Sequence, residues 1–431
     1  MTLTLSSAVS ALLFTICLAL IFSEKVHRTI VAIFGAVLMV AFGLLFGFYN
    51  EEQAVASIDF NTLGLLFGMM LLVAMLEPTG FFEFLAVWVG KKSKGKAASL
   101  LFLLSLVTSL ISMFLDNVTT VVLIAPVTIL ICEILGFSPQ PFLISEAILS
   151  NIGGISTLVG DPPNVLIASA AGFTFVDFII HSFPLIIFVW LSAFAMLSWM
   201  FRGELRQPSP NAEAIQSLNP QETYTDQPTS RKVIAIIVLA IIFFFLEELL
   251  EIRPALVALA AASLALIWIR PNISDLLKRI QWEILLFFAG LFVMIGGIQQ
   301  AGVLDIFTNM VTQLVKLSPA LAGLILLWLV AMLSSIVDNI PITITLIPII
   351  QHLVLPGSNP SFLWWALVFG AGLGGNGTII GSTANVVVVG LSERTRLPIT
   401  SQTWSKRGLP VMLLSLVVIS ILYLLAFQSF S

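Results

Sequence analysis

From Ala98 to Glu133 the chain is apolar except for scattered serines and threonines and one adjacent polar pair, Asp116-Asn117. As a single helix this stretch would extend about 54 Å, at about 1.5 Å per residue, far beyond a hydrocarbon core of about 30 Å. Two complete spans would need a surface loop between them, and the sequence has none. What remains is a re-entrant helical hairpin whose tip is Asp116-Asn117-Val118-Thr119-Thr120. Non-helical backbone at that depth persists only where protein or a water-filled cavity covers it. An ionisable group there costs roughly 3 kcal/mol on insertion scales, so Asp116 marks a candidate functional site.

The rest of the chain fits that setting. Apolar residues make up 58% of the 431 positions and charged residues only 10%, against about 25% charged in soluble domains. Apolar stretches of spanning length recur throughout, which predicts an all-α polytopic membrane protein with about 10–11 spanning helices. Cys17 and Cys132 both lie in apolar runs, which excludes a disulfide framework and a thiolate metal cluster. The N-terminal run lacks a basic leader and reads as a first spanning helix. Of the 19 basic residues, 17 fall in five clusters, from Lys25/Arg28 to Arg394/Arg396/Lys406/Arg407, leaving Arg253 and Lys316 for the other side. Because cytoplasmic loops carry the excess of Lys and Arg, both termini are expected outside. The setting is a multi-pass plasma membrane protein of bacterial inner-membrane type.

The hairpin has a second copy. A shift of 222 positions places Asp116 on Asp338, Asn117 on Asn339 and Pro126 on Pro348. A shift of 221 then aligns Gly153-Gly154 with Gly374-Gly375, Thr157 with Thr378, Gly160 with Gly381 and Asn164 with Asn385. The first copy starts outside and the second inside, so the two form an inverted repeat, the sequence mark of secondary transporters. Each copy also carries a broken helix, NIGGISTLVGDPPN at 151–164 and GAGLGGNGTIIGSTAN at 370–385. Glycine lets such a helix unwind, and Pro162 and Pro163 stop it from continuing through. Unwound carbonyls can hold cations, and half-helix N-termini can attract anions.

Alone, an asparagine or glycine at these places serves equally well as a cap or a close-packing position. The aspartates are harder to explain that way. No Lys or Arg lies between Lys96 and Arg202 or between Lys316 and Arg394, so a proton or a bound metal cation is expected to neutralise Asp116, Asp161 and Asp338. His181 and His352 are expected at helix ends, Glu77 and Glu83 at a turn, and Trp88, Trp190, Trp199, Trp282, Trp364 and Trp365 in interfacial belts or packing. The polar stretch Gly203–Ser230 reads as a flexible cytoplasmic linker.

The stretches LDNVTTVVLIAP, GDPPNVLIASAAG, VDNIPITITLIP and LGGNGTIIGSTANVVVVG resemble the ArsB/NhaD branch of the ion transporter superfamily, which also holds citrate and divalent anion–sodium carriers. The likeness covers nearly the whole chain. It implies scaffold helices at 1–97 and 233–316, transport halves at 98–201 and 317–431, and a linker at 202–232. It also implies elevator-type movement and a possible homodimer. By the same resemblance, ion and substrate sites fall on Asp116, Asn117, Thr119, Thr120, Gly160, Asp161, Asn164, Asp338, Asn339, Thr343, Asn376, Thr378 and Asn385. Among these, Na⁺ is implied at Asp116, Asn117, Asn164, Asp338, Asn339 and Asn385. The dicarboxylate carriers have a Ser-Asn-Thr tip, where this chain has Asp-Asn-Val-Thr and Asp-Asn-Ile-Pro.

The expected activity is secondary transport of a small inorganic ion, arsenite- or antimonite-like, coupled to H⁺ or Na⁺. A Na⁺/H⁺ antiporter is the alternative, and an intramembrane aspartyl protease a distant one. The protease's Gly-x-Gly-Asp pattern is absent, because Leu158 replaces the first glycine. No enzyme activity, cofactor or nucleic-acid partner is expected. The partners are lipid and the transported ion. With no phosphate-binding loop in the chain, ATP could act only through a separate ATPase subunit. Alkaline phosphatase fused after Ser431 should be active in a bacterial host, and fused after Gln216 inactive; the reverse pattern would invert the topology.

Overall fold

The computed structural model describes residues 4–23, 25–303, 318–353 and 361–430. Lys316 and the side chain of His352 lie outside the described residues. Everything regular is helical, and the described residues contain only one isolated β-bridge, Lys96 with Pro208.

The first half runs α1 (Leu5–Ser23), α2 (Arg28–Phe46), α3 (Phe60–Leu76), α4 (Phe81–Lys92), α5 (Ala97–Ser112), α6 (Asn117–Leu135), α7 (Gln140–Gly154), α8 (Pro162–Ala171) and α9 (Phe183–Met200). The second runs α10 (Gln227–Phe245), α11 (Pro254–Ile269), α12 (Trp282–Gln300), α13 (Pro319–Ile336), α14 (Asn339–Leu353), α15 (Ser361–Gly374), α16 (Thr383–Ser392) and α17 (Ser401–Leu425). The shift of 222 carries the starts of α1, α3, α5 and α6 onto those of α10, α12, α13 and α14, and the shift of 221 carries α7 and α8 onto α15 and α16. The duplication in the sequence is therefore a duplication of elements.

Eight described helices are long and apolar enough to cross a membrane. They include α6 and α13, which are hairpin arms, while α11 falls just short in length. Apolar length alone does not separate a span from an arm that turns back. The first hairpin breaks where expected, because the Asp116 carboxylate caps the returning helix by accepting from the Thr119 N–H at 2.8 Å. Capping removes one of the orphan donors that a buried helix start would otherwise leave.

The most extensive helix contacts fall in two groups. α3 lies on α11 and α2 on α12. The approach is close enough that a Cβ on Gly68 would come within 2.6 Å of the Ala258 backbone, and one on Gly290 within 2.8 Å of Ala32. Small residues at such contacts let backbones approach where lipid gives no hydrophobic drive. In the other group α5 lies along α7 and α13 along α15. The returning arms cross over between repeats: α6 packs on α16 and α14 on α8. Each hairpin tip thereby reaches the helix break of the opposite copy.

The linker corrects an expectation. It is not a free coil but a strap of short helical turns at Arg202–Leu205, Ala212–Ser217 and Pro220–Thr223. Ile215 is fully buried against Gly90 and Ile131. The Ser209 hydroxyl donates to the Leu135 carbonyl, Lys91 to the Leu218 carbonyl, and Gln216 to the Lys91 carbonyl. Its polar composition concealed one apolar anchor and several backbone acceptors that the neighbouring helix ends left free. The tryptophans also divide, with Trp88, Trp199 and Trp282 exposed and Trp364 and Trp365 buried. Replacing Ile215 with Ala should cost about 2–4 kcal/mol, the usual range for deleting a buried aliphatic side chain. Thermal unfolding in detergent, together with faster proteolysis between residues 203 and 230, would show it.

Candidate functional site

The two helix breaks are built alike. Between α7 and α8 the chain turns back on itself so tightly that a Cβ on Gly160 would lie 2.6 Å from the Gly154 carbonyl oxygen. Gly381 stands in the same relation to Gly375, at 2.7 Å. An asparagine staples each break: the Asn164 amide donates to the Gly154 and Thr157 carbonyls at 3.0 and 2.8 Å. Asn385 does the same to Gly375 and Thr378, at 2.8 and 2.9 Å. Thr157 and Thr378 then tie the breaks to the hairpins by donating to the carbonyls of Met113 and Ser335. These contacts satisfy carbonyls that unwinding released, which hydrocarbon would not do.

Across this frame lies a chain of buried amides centred on Asn151. Its carbonyl oxygen accepts from the Asn117 amide at 2.9 Å and the Ser382 hydroxyl at 3.1 Å. Its own amide donates to the carbonyl oxygens of Asn376 and Asn385 at 2.9 and 3.0 Å. Two buried polar groups on the expected site residues have no hydrogen-bond partner among the described residues, the Asn376 amide nitrogen and the Thr120 hydroxyl. Buried orphan groups are rare and need an explanation. A second pair joins the other tip to the first break, where Asn339 donates to the Asp161 carboxylate at 3.1 Å.

The tip carboxylates differ. Asp116 accepts from the Thr119 hydroxyl at 2.5 Å and opens on a cavity of about 250 Å³ whose lining includes Glu77, Arg279 and Gln281. Gln281 donates to the Thr119 hydroxyl at 3.2 Å, and Arg279 is paired with Glu77 at 3.1 Å. Asp338 accepts from the Thr383 hydroxyl at 2.7 Å and from the Arg28 guanidinium at 2.6 Å. That last contact corrects an expectation from the sequence. The two intervals around the hairpins carry no basic residue, yet a basic residue from α2, distant in the chain, reaches Asp338. A guanidinium, and not only a proton or metal cation, neutralises it here.

The structure therefore gathers Asn117, Asn376 and Asn385 around Asn151, pairs Asn339 with Asp161, and sets Asp116 and Thr119 at a cavity. It does not bring Thr343 into this cluster, since its hydroxyl caps its own helix at the Asn339 carbonyl. The amide groups of Asn164 and Asn385 and the hydroxyl of Thr378 are committed to backbone. Among the described residues no three His, Cys, Asp or Glu side chains converge as a metal cluster. The available ligands are amide, hydroxyl, carboxylate and carbonyl oxygens, a set suited to a hard cation. Asn151 escaped sequence reasoning because its repeat-related position is Gly372, so symmetry gave no signal. Its place at the head of the first Gly-rich break was the one available clue. Arg28 gave no site signal because, in sequence, it is one more basic residue of a loop cluster.

A family model described as "Citrate transporter" matches residues 18–370. The chain belongs to the citrate transporter family. An uncharacterized transporter of Mycobacterium tuberculosis is 40% identical over 424 residues, 97% of this chain and 98% of that protein. A 46 kDa membrane protein of Mycobacterium leprae is 38% identical over 421 residues, 96% of this chain and 97% of that one. The human P protein is 32% identical over 481 residues, covering 93% of this chain but 57% of the longer relative. Among solved structures the Alcanivorax borkumensis YdaH transporter superposes with a TM-score of 0.62 at 17% identity, covering 94% of this chain and 98% of that one. That similarity is one of fold. This member of the citrate transporter family is a multi-pass membrane transporter and not an enzyme; the match is to the citrate transporters, and not specifically to the ArsB/NhaD branch.

Replacing Asn151 with Ala removes four hydrogen bonds at once and leaves the amides of Asn117 and the carbonyls of Asn376 and Asn385 unpaired. A loss of about 1–3 kcal/mol is expected for such buried groups, read as a lower unfolding temperature in detergent.

Proposed function

We propose that this protein is a secondary active exporter of a small inorganic oxyacid, arsenite- or antimonite-like, driven by inward movement of H⁺ or Na⁺. One observation carries the reading. The buried centre offers neutral amides and hydroxyls, and both guanidiniums near the tips, Arg28 and Arg279, are already committed to carboxylates. A polycarboxylate would bring several negative charges into a place with no uncommitted basic group among the described residues. A neutral oxyacid needs only the orphan Asn376 amide and hydroxyls such as Thr120. The carboxylates of Asp116, Asp161 and Asp338 then serve the coupling cation, with Asn117, Asn339 and the break carbonyls as further oxygen ligands. The hairpins and breaks would move as a transport unit, residues 98–201 and 317–431, against the remaining spans.

A second reading, citrate carriage, is supported by the description of the family. A third, Na⁺/H⁺ exchange, follows from the same acidic groups. Purified protein in proteoliposomes with imposed pH or Na⁺ gradients distinguishes them when arsenite, antimonite, citrate, Na⁺ and Li⁺ are offered in turn. Gradient-driven arsenite flux is expected; citrate flux without arsenite flux would replace the reading. Asp116→Asn should lower gradient-driven flux at least about 100-fold, as loss of a group needed for coupling, with normal insertion and little change in unfolding temperature. Wild-type flux in that variant would remove Asp116 from the coupling role.

A further inference from the structure

Both hairpin tips touch the same end of the neighbouring helices. Arg28 opens α2 and Gln281 immediately precedes α12, and these two helix starts lie side by side, with the Thr29 hydroxyl donating to the Glu283 carbonyl at 3.0 Å. Arg28 binds Asp338 while Gln281 binds Thr119. These helix starts carry the basic clusters Lys25/Arg28 and Lys278/Arg279, which the distribution of charge assigns to the cytoplasm. The tips therefore rest at the cytoplasmic ends of α2 and α12, and the cavity at Asp116 is lined by Glu77, Arg279 and Gln281 from that same side. A different cavity, lined by Ser57, Asp59, Ser169, Gln299 and Gln351, lies toward the opposite ends of α8 and α12.

The two tip carboxylates are unequal in this arrangement. Among the described residues Asp116 has hydroxyl and backbone donors but no basic partner, whereas the Asp338 side chain, 15% exposed, is held by a guanidinium that is itself 24% exposed. Arg28 belongs to the α2–α12 group, and Asp338 to the hairpin-and-break group. Any displacement of one group against the other by more than a few ångströms breaks this pair. A carboxylate stripped of its partner in a low-dielectric setting needs another cation at once.

We propose that Arg28 is the resident cation of the second hairpin tip, occupying Asp338 while the site faces the cytoplasm and displacing the coupling cation from it. The inference rests on the coupled-transport reading above. Movement to the outward-facing state pulls Asp338 away from Arg28 and opens it to a cation from outside. Return brings the guanidinium back, and the cation leaves to the cytoplasm. The pair thus weakens cation binding at Asp338 in the cytoplasm-facing state relative to the outward-facing one, while the gradient sets the direction of net flux. Thr383, which donates to the same carboxylate oxygen, orients Asp338.

The test uses full-length protein in oriented proteoliposomes, with whichever cation gradient, Na⁺ or H⁺, drives the wild-type flux. Arg28→Gln should lower the cytoplasmic concentration of that cation giving half-inhibition by about tenfold, with the value on the other face changed less than about twofold. Arg28→Lys, which keeps the charge, should stay near wild type. An unchanged cytoplasmic value, or an equal shift on both faces, would overturn the proposal. A second readout needs no flux. With Cys17 and Cys132 replaced by alanine, oxidative cross-linking of Thr119→Cys to Gln281→Cys reports the cytoplasm-facing contact, and Arg28→Gln should slow it about fivefold. If wild-type flux follows neither gradient, the coupling reading fails, and the cross-linking rate alone decides whether Arg28 holds this state. If Arg28→Gln does not insert, the double variant with Asp338→Asn should restore insertion, because the two charges then vanish together; failure of the double variant as well would also overturn the pairing.

Discussion

Everything in this structure follows from the impossibility of leaving peptide groups bare in hydrocarbon. Two helices stop inside the protein, and each stop frees carbonyls and N–H groups that water cannot reach. Asn164 and Asn385 answer that demand by placing both amide hydrogens on break carbonyls, and Thr157 and Thr378 bind the breaks to the hairpin ends. Once the breaks are stapled, the glycines at 160 and 381 can pass against neighbouring backbone where any Cβ would collide. The polar centre is thus a by-product of solving a backbone problem twice, and function has been added at the points where the two solutions meet.

The two solutions are not copies in their chemistry. The repeat preserves Asp116 and Asp338, Asn117 and Asn339, Asn164 and Asn385. It places Asp161 opposite Ser382, Asn151 opposite Gly372 and Asn376 opposite Ile155. Of the pairs that are kept, Asn164 and Asn385 staple the breaks while Asp116 and Asp338 stand at the hairpin tips. The positions that diverge put a carboxylate in the first break and amides in the chain through Asn151. Asp161 meets Asn339, and the amide chain through Asn151 gathers the remaining asparagines.

Much of this was legible beforehand because hydrocarbon punishes irregularity so heavily that exceptions stand out. A carboxylate in a 36-residue apolar run, the Gly-rich breaks and the matched spacing required hairpins and broken helices, and the observed breaks, between Gly154 and Pro162 and between Gly374 and Thr383, fall inside the Gly-rich stretches. The site was legible only where symmetry repeated it. Asn151 lacked a repeat partner, and Arg28 looked like an ordinary topology signal because its role depends on a residue 310 positions away. The polar linker misled for a related reason: one buried isoleucine and several free carbonyls, not its composition, bind the strap to the neighbouring helix ends.

Alone, the sequence determined that this chain lives in a membrane, that its two halves run in opposite senses, and that each half is interrupted at an acid–amide tip and at a glycine-rich break. Those features depend on local hydrophobicity and spacing, which are read along the chain. Only the tertiary structure decided that each tip meets the break of the other half, that Asn151 joins the amides, and that Arg28 faces Asp338. Such pairings depend on which helix ends come to lie side by side, and no local pattern of residues encodes that.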